Sequence, residues 1–220
     1  MARAAARRDR VHGRARCRRG HPCRPGSGGV LLVPRRLSER AKIEIVFETH
    51  SLTTDNEGWI ATGWLDGRLS RKGRSLAKEI GERHQEREIV AVFTSDLGRA
   101  VETAEIAFRA SGIPIFHDWR LRECDYGDLN GGPSRDVEAA REHHVYEPFP
   151  GGESYNDVVV RVRSFLRDLS PRYDEARVLV IGHTATRWAL DHLLEGVALP
   201  DLVRAPFRWR EGWFYTLYPS

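Results

Sequence analysis

From Lys42 onward, short β-branched runs alternate with stretches of helical periodicity, and this alternation restricts the fold more than any other feature of the chain. A strand that pairs in parallel with its neighbour needs a crossover of a dozen or more residues, and a helix usually supplies it. The pattern predicts strands over 43–48, 89–94, 114–117 and 177–181, and helices over 72–85, 96–110, 155–169 and 185–195. Residues 212–218 are expected to add an edge strand. The architecture this implies is an α/β fold, a three-layer α/β/α sandwich with a mainly parallel central sheet.

With 220 residues, 40% of them apolar, the chain can bury a core of single-domain size. No run approaches the roughly eighteen apolar residues of a membrane span. The early run Val30 to Val33 is too short for a signal peptide, so a cytoplasmic protein is expected. Cys17, Cys23 and Cys124 do not make a disulfide framework, which fits a reducing compartment. The formal net charge of +4 suggests a nucleic-acid partner until its location is considered. Residues 1–40 hold twelve Arg, no Lys and only Asp9 and Glu39 as acids, which leaves +10 there and −6 on the rest. That Arg-rich stretch has no aromatic residue on which a base can stack, so nucleic acid is not the expected partner. Its few apolar residues do not offset the entropy of ordering. Residues 1–41 are therefore expected to be a disordered extension or a mis-assigned start, and 42–220 the working domain. Cys17, His21 and Cys23 lack the paired C-x-x-C spacing of structural zinc sites, and no metal is expected.

In open α/β sheets, ligands gather beyond the carboxyl ends of the strands. Two of the nine histidines fall there: His50 after the first predicted strand, and His183 one glycine after the 177–181 strand. Six of the others lie in tail, helix or loop contexts, where a solvated imidazole is the ordinary reading, and His117, at the end of the predicted 114–117 strand, is read as ordinary too. Arg99 falls in the first turn of the predicted 96–110 helix, where backbone N–H groups and a guanidinium can hold an anion together. The segment Leu121 to Gly131 places carboxylates among glycines and reads as a loop. Departure of an alkoxide needs a proton donor, for which Glu123 is the candidate and Asp125 the reserve. Ser154 or Glu153 is placed to cap the following helix. Trp59 and Trp64 follow His50, where they either shape a pocket or pack in the core.

Taken together, these segments resemble the histidine phosphatase superfamily, which includes the cofactor-dependent phosphoglycerate mutases, over roughly residues 42–217. The family's opening Arg-His-Gly-x-Thr-x-x-Asn is matched by Thr49-His50-Ser51-Leu52-Thr53-Thr54-Asp55-Asn56. Its Ser-x-Leu-x-Arg-Ala-x-x-Thr-Ala is matched by Ser95 to Ala104, its Leu-x-Glu with following glycines by Leu121 to Gly131, its Gly-Gly-Glu-Ser by Gly151 to Ser154, and its last motif by Gly182-His183. The resemblance implies a phosphoglycerate mutase-like fold and a phosphatase that acts on a small phosphorylated metabolite. In that mechanism His50 attacks phosphorus and becomes phosphohistidine, Arg99 and His183 stabilise the equatorial oxygens, and Glu123 protonates the leaving group. Neither a metal nor an organic cofactor is implied. Thr49, Ser51, Thr53 and Asn56 fall at substrate-binding positions of the opening motif.

The chain departs from the family where the phosphate-binding arginine before the nucleophile becomes Thr49 and the next glycine becomes Ser51. Loss of one preorganised donor commonly costs on the order of a hundredfold to a thousandfold in rate. Arg122 and Arg187 are the nearest candidate replacements in motif terms, the hydroxyls of Thr49, Ser51 and Thr53 are weaker donors, and feeble catalysis is the third outcome. A phosphoglycerate mutase-type phosphotransferase and a phospho-ligand-binding pseudoenzyme are the competing functions.

Overall fold

The computed structural model describes residues 42–218. The Arg-rich segment 1–41, with the Cys17, His21 and Cys23 set, lies outside the described residues. Five strands form one sheet: β1 (Ile43–Thr49), β2 (Ile89–Thr94), β3 (Ile115–His117), β4 (Arg177–Gly182) and β5 (Trp213–Leu217). Their spatial order is β3-β2-β4-β1-β5. All neighbours pair in parallel except β5, which runs antiparallel to β1 along one edge. Seven α-helices among the described residues connect them: α1 (Thr54–Glu57), α2 (Arg71–His84), α3 (Gly98–Phe108), α4 (Ser134–Ala140), α5 (Tyr155–Leu169), α6 (Thr184–Glu195) and α7 (Leu199–Arg204).

The layers follow from strand alternation. Ile43, Ile45 and Phe47 of β1, with Val178 and Val180 of β4, pack into one core with α5 and α6. Val46, Leu179 and Ile181 point to the other face and pack with Ile80 of α2 and Ala100, Ala104 and Phe108 of α3. Because both faces are covered, the central strands read as continuous apolar runs rather than alternating ones. One residue breaks the run: Glu48 is buried on the α2 side, where its carboxylate meets His84 Nε2 at 2.7 Å and Arg83 Nε at 3.3 Å.

The helices start where the chain offers a cap. Ser154 and Asp157 form a reciprocal capping box at α5, and Ser70 accepts from the Gly73 N–H at α2. The sequence places α3 two residues early and does not foresee α1, α4 or α7. These three are only four to seven residues long, too short for an apolar periodicity to register.

Candidate active site

β1 and β4 lie side by side and end level, with Thr49 opposite Gly182. The residue after each strand is a histidine. The His50 N–H donates to the Gly182 carbonyl at 2.8 Å, so the chain leaves both strands at one place. The two imidazole rings stand 4.9 Å apart between centroids, inclined at 54°.

His50 Nδ1 lies 2.8 Å from the Ser51 carbonyl, which can only accept, so the proton resides on Nδ1 and Nε2 keeps a lone pair. His183 Nδ1 faces the Arg99 Nη2 donor at 3.4 Å, and its Nε2 meets Ser95 Oγ at 2.7 Å. Because the Arg99 guanidinium can only donate, Nδ1 accepts, the proton resides on Nε2, and the Ser95 hydroxyl just after β2 accepts it. Ser95 opens the motif match that runs to Ala104, but nothing in that spacing shows that its hydroxyl meets His183.

Arg99 is buried in the first turn of α3. Its guanidinium donates to the Gly63 carbonyl at 2.7 Å and the Leu65 carbonyl at 3.0 Å, and it forms no ion pair among the described residues. Its charge is thus held in place by dipoles and remains available to an anion. The loop can approach so closely because Gly63 has φ of +51°, and a Cβ there would run into the Asn130 side chain.

Glu123 closes the group from the opposite side. Its Oε1 accepts from the backbone N–H groups of Cys124 at 2.9 Å and Ala185 at 3.1 Å, and its Oε2 accepts from Thr184 at 3.2 Å. The carboxyl therefore sits on the N-terminus of α6, one residue beyond His183. The Glu123 carbonyl accepts from Arg161 Nη2 and Trp64 Nε1, which fixes the segment that carries it. Arg161 is almost wholly buried, also bonds the Arg120 and Arg122 carbonyls, and pairs with Glu153 at 2.9 Å. It is a structural clamp that the motif spacing does not reveal.

The electrostatics follow from burial and one cation. Burial, then Arg99, brings the His50 pKa down to about 3, so the ring is neutral at pH 7. The same causes, with His50 added, hold His183 well below the usual imidazole range. Burial raises the Glu123 carboxyl above its ordinary value, against the opposing pull of the backbone N–H groups and Arg99. Burial also lowers Arg99, whose ordinary pKa is high enough that it stays charged. The arrangement offers an unprotonated imidazole nitrogen, a fixed cation and a carboxyl biased toward holding a proton.

His50, Arg99, Glu123 and His183 line one cavity of about 710 Å³, together with Thr49, Ser51 and Asn56. The Ser51 hydroxyl is already used, donating to the Gly73 carbonyl at 2.7 Å. Thr53 does not line the cavity; fully buried, it caps α1 in a reciprocal pair with Asn56. Asp125, the reserve acid, accepts from the Gly127 N–H and from Asn130, and so organises its own loop. Arg122 is held by Asp96 in two hydrogen bonds of 2.6 Å and lies over Trp64. Arg187 pairs with Asp191 at 3.4 Å and faces the rings of Phe207 and Trp213. Neither arginine lines the cavity, so neither stands where the family's arginine is missing: one is drawn off by an acid across the loop, the other by an acid one helical turn on. Trp59 is exposed and Trp64 braces Glu123, whereas Trp188 and Trp209 line the cavity.

Residues 45–208 match the family model of the histidine phosphatase superfamily, branch 1. The chain belongs to that superfamily. A 2,3-bisphosphoglycerate-dependent phosphoglycerate mutase of a Methylobacterium species is 34% identical over 168 residues, covering 70% of this chain and 81% of the mutase. Phosphoglycerate mutase 1 of Saccharomyces cerevisiae is 39% identical over 93 residues, which span 40% of this chain and 38% of that enzyme. The solved structure of a mycobacterial glucosyl-3-phosphoglycerate phosphatase with VO3 superposes with a TM-score of 0.66 at 26% identity, covering 74% of this chain and 86% of that one. No helix among the described residues is long and apolar enough to cross a membrane.

Proposed function

We propose that the chain is a phosphatase that hydrolyses a small phosphomonoester through a phosphohistidine on His50, with no requirement for a metal ion. The convergence of His50, His183, Arg99 and Glu123 on one cavity carries this reading. His50 Nε2 forms a bond to phosphorus as the bond to the leaving oxygen breaks. Glu123 delivers its proton to that oxygen, and in the second step takes a proton from the water that displaces His50. Arg99 and His183 hold the equatorial oxygens, where negative charge is spread in the transition state. The neutral state of His50 suits this task, since it attacks as the free base. His183 can donate from Nδ1 once an anionic phosphate enters and raises its proton affinity, so that the ring takes up a proton.

The cavity walls favour hydrolysis over mutase action. Around the catalytic group the lining carries Lys72, Arg83 and Arg141 beside Glu79, Glu138 and Glu211, an even formal count without the excess of cations that retaining a bisphosphate between two transfers calls for. The phosphatase named among the structural relatives points the same way, while the curated mutases support phosphotransfer. Thr49 favours a third reading, a site that binds a phosphorylated ligand and turns it over feebly. Incubation with a monophosphate and a bisphosphate primer in chelator separates these: phosphate release supports the phosphatase, isomer formation a mutase, and binding without either a pseudoenzyme.

A further inference from the structure

Among the described residues, one cleft cation is held neither by a carboxylate nor by a backbone carbonyl. Lys72, in the first turn of α2, lines the same cavity as Thr49, His50 and Arg99, and makes no ion pair among the described residues. The other cleft cations on the helical walls are committed. Arg83 is paired with Glu48 at 3.3 Å and Glu211 at 3.7 Å, and Arg141 donates to the carbonyls of Arg204 and Ala205.

The turn that carries Lys72 is fastened to the loop after His50. The Ser70 N–H donates to the Leu52 carbonyl at 3.0 Å, and the Ser51 hydroxyl donates to the Gly73 carbonyl at 2.7 Å. Gly73 packs so closely that a Cβ on it would run into the Leu52 carbonyl. The two departures from the family motif thus have linked consequences. Threonine at 49 removes a cation beside the nucleophile, and serine at 51 adds a hydroxyl, which glycine lacks, that ties down the helical turn bearing an uncommitted one.

We infer that Lys72 supplies the phosphate-binding charge that Thr49 lacks, and that Ser51 is its positioning residue. This rests on the phosphatase reading and adds to it a substrate contact outside the five motif segments matched in the sequence. An ammonium is a compact point charge without the fork of a guanidinium, so it binds phosphoryl oxygens without demanding one orientation, and arginine can replace it.

The test measures p-nitrophenyl phosphate hydrolysis and competitive inhibition by orthovanadate for the full chain and for Lys72→Ala, Lys72→Arg and Ser51→Gly, with Lys78→Ala on the outer face of α2 as control. Lys72→Ala is expected to lower kcat/KM roughly a hundredfold and to weaken vanadate inhibition by about tenfold or more. Lys72→Arg retains most of both, Ser51→Gly shifts both in the same direction by less, and Lys78→Ala changes neither. Thr49→Arg placed in the Lys72→Ala background is expected to recover vanadate affinity. Unchanged inhibition in Lys72→Ala beside an active wild type overturns the role of Lys72 alone. A wild type that neither hydrolyses the ester nor binds vanadate overturns the phosphatase reading as well.

Discussion

Ser95 Oγ and His183 Nε2 lie 2.7 Å apart, a hydrogen bond that joins the ends of β2 and β4 across the floor of the cleft. Ser95 touches no substrate position itself. It receives the Nε2 proton of His183 and holds the ring with Nδ1 toward Arg99. Ser95→Ala is expected to lower kcat/KM about tenfold, the worth of one buried hydrogen bond of roughly 1.4 kcal/mol, while a thermal melt stays close to wild type. Steady-state kinetics on p-nitrophenyl phosphate and a melt of the same sample check it. An unaltered rate would make the bond purely structural.

Glu123 has a role only where the leaving group needs a proton. Glu123→Gln keeps the shape of the side chain and removes the acid. The expected loss in kcat is on the order of a hundredfold or more for an alkyl phosphate and much smaller for p-nitrophenyl phosphate, whose phenolate departs unaided. Equal losses on the two esters would assign Glu123 to binding instead.

Stability should depend on pH through the two histidines. The His50 pKa is about 3 in the fold and His183 is also well below 6.5, whereas both titrate near 6.5 when unfolded. The unfolded chain therefore binds more protons below about pH 6.5, and stability falls as pH drops from there toward the folded values. Melting temperatures between pH 7 and 5 are expected to decline, and to decline less steeply in the His50→Gln/His183→Gln double variant. A slope unchanged by that pair of substitutions would contradict the burial argument.

The order of strands and helices and the two catalytic histidine candidates were readable because they depend on local periodicity and on strand ends. Val46 and Phe47 of β1 are apolar whichever face each takes, and His50 and His183 stand out only because β1 and β4 end beside each other. The direction of long side chains is a different matter. Arg122 and Arg187 stand next to motif residues in the sequence, yet Asp96 and Asp191 draw their guanidinium groups away from the cavity. Lys72 is twenty-two residues from His50 along the chain and reaches the same cavity only through the packing of α2. The partners of Arg161 and Ser95 escape for the same reason: they are brought together by tertiary structure, and no spacing in the chain encodes the meeting.

The placement of the two arginines has its own consequence. Arg122→Ala and Arg187→Ala are each expected to change orthovanadate affinity by less than about twofold, since removal of a charge screened by its own carboxylate partner alters a distant anion site little. Competitive inhibition measurements decide it. A tenfold weakening in either variant would return that residue to the phosphate site.

The most direct test of the account is acid-free trapping of the chain with a phosphomonoester in chelator, followed by intact-mass and peptide analysis of the wild type beside His50→Ala. The account predicts one phosphoryl group on the peptide that contains His50, labile to acid, absent from His50→Ala, and accompanied by phosphate release that the substitution abolishes. Phosphate release that persists in His50→Ala, or turnover with the phosphoryl group on another residue, would contradict it.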